Sequence, residues 1–88
     1  MSTSETASVP TRTPEARREA LRDLPPSAKL VAKVLEYNTT LTQSELAEET
    51  LLPPRTVRYA LTRLDEEGII ESRFSLTDAR KRIYSLAV

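Results

Sequence analysis

The sequence predicts a mainly α fold that ends in a small β-hairpin. Three observations predict it. Apolar residues recur at helical spacing in separate stretches between Ser27 and Leu64. The only glycine of the chain, Gly68, follows the last of these stretches by a few residues. Beyond it, IIESRFSL and KRIYSLAV are short and rich in β-branched and aromatic residues, with Thr77-Asp78-Ala79-Arg80 as a turn between them.

Each element has its own local reason. Residues 1–13 (MSTSETASVPTRT) are Ser/Thr-rich with almost nothing to bury, and read as a disordered tail. Residues 14–26 read as a short helix and a Pro-Pro linker. Thr13 caps that helix, Pro14 opens it, and Pro25-Pro26 ends it. Ala16, Ala20, Leu21 and Leu24 give it a thin apolar stripe. Residues 27–88 form the domain proper. Ser27 is the expected cap of its first helix, and Leu30, Val31, Val34 and Leu35 its buried face. Asn38-Thr39-Thr40 breaks that helix. In TQSE, Thr42 and Glu45 form a capping box for a short helix that turns Leu46 and Ala47 inward. The turn Thr50–Pro53 follows. Pro54 then opens a longer helix whose Val57, Ala60, Leu61 and Leu64 repeat at i, i+3, i+4 and i+7. Gly68 supplies its left-handed cap.

This order, three core helices and then a hairpin, is the winged helix-turn-helix plan. The bend between the two central helices needs a small residue at the contact, Ala47, and apolar flanks, Leu46, Leu52, Val57 and Leu61.

Composition narrows function. The 88 residues make one domain at most. The chain has no histidine and no cysteine. It therefore lacks the usual general base, thiolate metal ligands and any disulfide. No glycine-rich phosphate loop is present, and no cofactor is expected. An enzyme is not expected. There is no apolar run long enough for a membrane span and no signal peptide, so the expected location is cytoplasmic and nucleoid-associated. Thirteen basic residues balance thirteen acidic ones, but residues 51–88 carry seven basic and five acidic side chains. That argues against indiscriminate coating of nucleic acid and leaves room for a local basic face.

The third core helix, about 54–67, carries Arg55, Thr56, Arg58, Tyr59, Thr62 and Arg63 on its outward side. A major groove accepts one helix, and arginine bonds guanine O6 and N7 in bidentate fashion. In the wing, about 73–82, Arg80, Lys81 and Arg82 cluster near the tip, with Arg73 on the facing strand. Arginine suits a narrow minor groove. Asp78 either holds Arg80 or accepts turn amides. Phe74, Ile83, Tyr84 and Leu86 read as core and sheet packing. Arg12, Arg17, Arg18 and Arg22 either reach phosphates or pair with Glu15 and Glu19. Glu36, Glu45, Glu48 and Glu49 read as a solvated face.

From Ser44 onward the chain resembles the winged-helix regulators of the MarR (multiple antibiotic resistance) and related single-domain archaeal and bacterial groups. The matching residues are Leu46-Ala47, Thr56-Val57, Ala60-Leu61, Arg63-Leu64, Glu66-Glu67-Gly68 and Ile69-Ile70, with Asp78-Ala79-Arg80 in the wing. Two positions depart from the pattern. Leu51 stands where the turn usually has glycine, and Pro53 where the third helix usually has a serine cap. A left-handed leucine costs about 1 kcal/mol, which points to a different turn type set by the double proline. The resemblance implies a sequence-dependent regulator of transcription that binds double-stranded DNA. A symmetric homodimer is expected through residues 14–24. The alternative from another class is a winged-helix subunit that binds protein within a transcription or replication assembly. Such a domain keeps the core and loses the arginines, which this chain retains.

Overall fold

The computed structural model describes residues 13–87. The elements are α1 (Pro14–Leu21), α2 (Pro26–Tyr37), β1 (Leu41–Thr42), α3 (Gln43–Thr50), α4 (Pro54–Glu66), β2 (Ile70–Phe74) and β3 (Arg82–Leu86). Among the described residues the fold is the expected winged helix: four helices and a small antiparallel sheet. The tail at 1–12, with Arg12, lies outside the described residues. Among the described residues, no helix is long and apolar enough to cross a membrane.

The helix ends follow local chemistry. The Thr13 hydroxyl accepts the Ala16 amide at 3.1 Å, and Pro14 opens α1. The helix is shorter than its stripe suggests. It ends at Leu21, and a tight turn drops Leu24 into the core, where it is 5% exposed. Ala20 and Leu21 pack partly against the same core, so most of the stripe expected to pair two copies is used within one. Ser27 is not the cap of α2. That helix starts at Pro26, two residues earlier than a Ser27 cap would place it, with Pro25 in the cap position and no side-chain cap bond. A proline in the first turn has no amide to satisfy and already has a helical φ.

The buried face of α2 is Ala28, Val31, Ala32 and Leu35. Leu30, expected inside, is 40% exposed, because the small Ala28 and Ala32 let α2 approach its neighbours on that side. Leu46, Val57, Ala60, Leu61, Leu64, Ile69 and Ile70 complete the core. Ala47 is half-buried against it.

The capping box of α3 is present. Glu45 N–H donates to Thr42 Oγ1 at 3.2 Å, and Thr42 N–H donates to Glu45 Oε1 at 2.8 Å. At the end of α4, Gly68 (φ 71°) takes the left-handed position. Gly68 N–H bonds Asp65 O, and Ile69 N–H bonds Leu64 O, both at 3.0 Å. That paired pattern is the Schellman motif, which needs a left-handed residue at the glycine position.

The turn between α3 and α4 differs from expectation. Leu51 is left-handed, at φ 62° and ψ 22°, so the turn type is retained without its glycine. Two features hold it. Leu51 N–H bonds Ala47 O at 2.9 Å. The buried Thr50 hydroxyl donates to Leu46 O at 2.6 Å and accepts the Leu52 amide at 3.3 Å. The Leu51 side chain gains nothing in return within the protomer, being 88% exposed. Replacing Leu51 with glycine is therefore expected to stabilise the fold by about 1 kcal/mol, raising the melting temperature by about 4–8 °C. Thermal unfolding by circular dichroism measures this, and a lower melting temperature would contradict the strain argument.

Among the described residues the sheet has three strands, not the two of a simple hairpin. Their order is β1–β3–β2, all antiparallel. Leu41 faces Tyr84 and Thr42 faces Ile83 across β1 and β3. Two residues are too few to show a strand period, and Thr42 also serves as the cap of α3.

Candidate nucleic-acid interface

Burial of Val57, Ala60, Leu61 and Leu64 turns the opposite side of α4 outward. Arg55, Arg58, Tyr59 and Thr62 are exposed there, with Thr56 and Arg63 half-buried at its edges. Their roles divide. Arg63 Nη1 donates to Tyr59 Oη at 3.1 Å, and Arg63 Nε lies 3.7 Å from Glu66 Oε1. Thr62 Oγ1 bonds back to Arg58 O at 3.0 Å. Arg55 and Arg58 make no ion pair among the described residues, so both guanidinium groups are available.

The start of α4 is anchored from α3. Gln43 Nε2 donates to Pro54 O at 3.3 Å. Pro53 and Pro54 set the entry of α4 without a side-chain cap. The double proline thus aims the exposed face rather than capping it.

The wing tip is tied by its own bonds. Ser75 N–H donates to Lys81 O at 2.8 Å and Lys81 N–H to Asp78 O at 2.9 Å. Both readings of Asp78 hold at once. Its Oδ1 accepts the Arg80 amide at 3.0 Å and lies 3.5 Å from Arg80 Nε. Arg80, Lys81 and Arg82 are exposed. Phe74, expected in the packing, is also exposed, and the Arg82 guanidinium lies 4.9 Å from its ring centre. Strand pairing ends at Phe74 and Arg82, beyond the reach of the helical core, which leaves this pair uncovered.

The sheet sorts the wing cations onto two faces. Arg82 and Tyr84 line a recess with Arg58, Thr62 and Asp65 of α4. They also line a recess of about 350 Å³ with Thr42, Gln43 and Ser44 at the start of α3, and with Arg80 and Lys81. Arg82 and Tyr84 thereby join α4, the wing and the start of α3 into one surface. Arg73 is elsewhere. It lines a separate recess with Tyr37, Asn38, Thr39, Thr40 and Glu71, because side chains alternate along β2 and residue 73 is out of phase with Ser72 and Phe74. Thr42, Ser44 and Tyr84 had no signal as surface partners in the sequence, since only the β1–β3 pairing brings them together. Among the described residues, no cluster of metal-ligating side chains is present.

The sequence profile of the MarR family matches residues 22–81. The chain belongs to the MarR family. Its fold is that of MarR-family transcription regulators, which are not enzymes. A probable transcriptional regulator from Pseudomonas aeruginosa superposes with a TM-score of 0.72 at 24% identity, over 77% of this chain and 52% of that one. Lactococcus lactis ZitR superposes at 0.71 and 26% identity, over 75% and 44%. Escherichia coli MarR, solved with operator DNA, superposes at 0.69 and 20% identity, over 75% and 47%. This MarR-family chain thus spans about half the length of those structures. Comparison with curated proteins gave no significant match.

Proposed function

We propose that this chain regulates transcription by binding duplex DNA in a sequence-dependent way. In this reading α4 enters the major groove, with Arg55, Thr56, Arg58, Tyr59, Thr62 and Arg63 facing the bases or nearby phosphates. The wing, with Asp78 holding Arg80 and with Lys81 and Arg82 beside it, meets the minor groove or the backbone. Arg73 acts only at the margin, since it lines the other face of the sheet. The carrying observation is the surface on which Arg58, Arg82 and Arg80 converge from α4 and the wing in a chain of zero net charge. The family supports it: E. coli MarR was solved with operator DNA and a point mutant of Staphylococcus aureus MepR bound to an oligodeoxyribonucleotide. The protein-binding alternative lacks a reason for unpaired arginines on α4. One module buries only about 600–1,000 Å² on DNA. More than one copy is therefore expected on a site, with residues 14–24 taking part in the contact. The cytoplasmic, nucleoid-associated location belongs to the same reading.

The test is binding of the purified chain to a pool of random duplexes across a salt series. Binding is expected to weaken steeply as salt rises, since log K falls by about 0.9 per neutralised phosphate for each decade of salt. Selection from the pool should yield a preferred sequence. No duplex binding even at low salt would overturn the reading and favour the protein-binding alternative.

A further inference from the structure

Two surface features, neither among the residues that line the recesses of the candidate DNA surface, fit each other. The first is the end of α3. Leu51 is left-handed and almost fully exposed, where glycine would remove the strain at no loss of packing. Beside it, Glu48 and Glu49 stand exposed in the last turn of α3, where no basic residue balances them. Carboxylates at a helix C-terminus oppose its dipole. Neither makes an ion pair among the described residues. The leucine side chain is thus kept at a strained position, close in sequence to two carboxylates, with no use inside the protomer.

The second feature is the groove between α1 and α2. Arg18, Arg22, Lys29 and Lys33 surround the half-buried Leu21 around a recess of about 350 Å³. Arg22 pairs with Glu19 at 3.4 Å and Lys33 with Glu36 at 3.3 Å. Arg18 and Lys29 make no ion pair among the described residues. Glu19 and Glu36 thus balance two of the four cations, while Arg18 and Lys29 stand beside the apolar side chain as like charges with no anion between them.

We propose that the Leu51 knob of one copy seats on the Leu21 groove of the next, with Glu48 and Glu49 meeting Arg18, Arg22 and Lys29. Complementary charge selects the occupant: an apolar side chain flanked by carboxylates is what a Leu21 floor flanked by cations accepts. DNA does not fit the knob, because phosphates are repelled by the same carboxylates. The two patches are different surfaces, so the contact is head-to-tail and leaves a free patch at each end. It differs from the symmetric pairing expected of residues 14–24, although it uses the same helix. Two residues of that stripe, Ala20 and Leu24, are turned to the protomer's own core. On DNA the contact makes neighbouring copies bind cooperatively. That consequence rests on the DNA reading, whereas the contact itself stands on the protein alone.

Sedimentation velocity of the full chain without DNA, over a concentration series, tests the contact. The parent is expected to show weight-average mass rising with concentration and falling with added salt. Leu51→Gly should melt higher than the parent and sediment as a monomer, which separates lost contact from lost fold. Arg22→Glu should weaken association at least about tenfold, and so should Glu49→Arg. Mixing Arg22→Glu with Glu49→Arg should restore association, because each variant keeps one intact patch. A monomeric parent at all concentrations would overturn the proposal. So would a stable dimer unaffected by Leu51→Gly, which would restore the symmetric interface. If the parent associates as expected but binds no duplex, the contact stands and the DNA reading falls.

Discussion

Leu46→Ala is expected to destabilise the fold severely. Leu46 is fully buried at the centre of the helix-turn-helix, among the largest side chains with no exposed surface. It lies on α3, packed in one cluster with Val57, Ala60 and Leu61 of α4 and Val31 and Leu35 of α2. Truncation removes three carbons from a site with helices on several sides, which collapse only partly into the void. Such changes cost about 2–5 kcal/mol. A domain of this size has a total stability near the low end of the usual 5–15 kcal/mol. The melting temperature should fall by on the order of 10–30 °C. The Leu46 carbonyl also accepts the Thr50 hydroxyl, so a shift of α3 would disturb the turn that aims α4. Fold and DNA binding should therefore be lost together. Differential scanning calorimetry with duplex binding on the same sample decides it. A variant that melts within a few degrees of the parent would mean that α3 is not clamped as described.

The sequence was legible where one local rule decided the outcome. The capping box at Thr42 and Glu45, the proline start of α4 and the glycine stop at Gly68 each follow from a few neighbouring residues, and each is present. The core stripe of α4 was equally plain, because four apolar residues at helical spacing leave one solution. Failures came where tertiary context outranked the local rule. Leu30 reads as core by hydrophobicity, but Ala28 and Ala32 are the residues that let the helices approach. Leu51 reads as incompatible with a left-handed turn, but the Thr50 hydroxyl and the bond from its own amide to Ala47 O hold it there. The candidate surface was half visible. The α4 row follows from periodicity, whereas its junction with the wing depends on a two-residue strand and on which face of β2 each side chain takes. A hydropathy pattern contains neither.

Arg58→Ala and Arg80→Ala are expected to weaken DNA binding in different ways, and the difference tests the proposed division of labour. Arg58 lies on the exposed face of α4 and lines the recess shared with Arg82. It has no ion pair among the described residues, so removal leaves no orphaned charge and little effect on melting. If it bonds a base edge, its loss should cost about 1–3 kcal/mol on the preferred duplex and relax preference at one position. Arg80 is different. Asp78 holds its amide and flanks its guanidinium, and its side chain is 91% exposed at the wing tip. A cation presented on a short tied loop meets phosphate or groove potential rather than a particular base. Arg80→Ala should weaken all duplexes about equally and reduce the salt slope by about one unit. Selection from random duplexes, followed by salt titrations of the preferred and a scrambled site, measures both effects. Equal loss of base preference in the two variants would mean that the wing reads sequence as well. Loss of slope without loss of preference in Arg58→Ala would remove that arginine from the bases and assign it to the backbone.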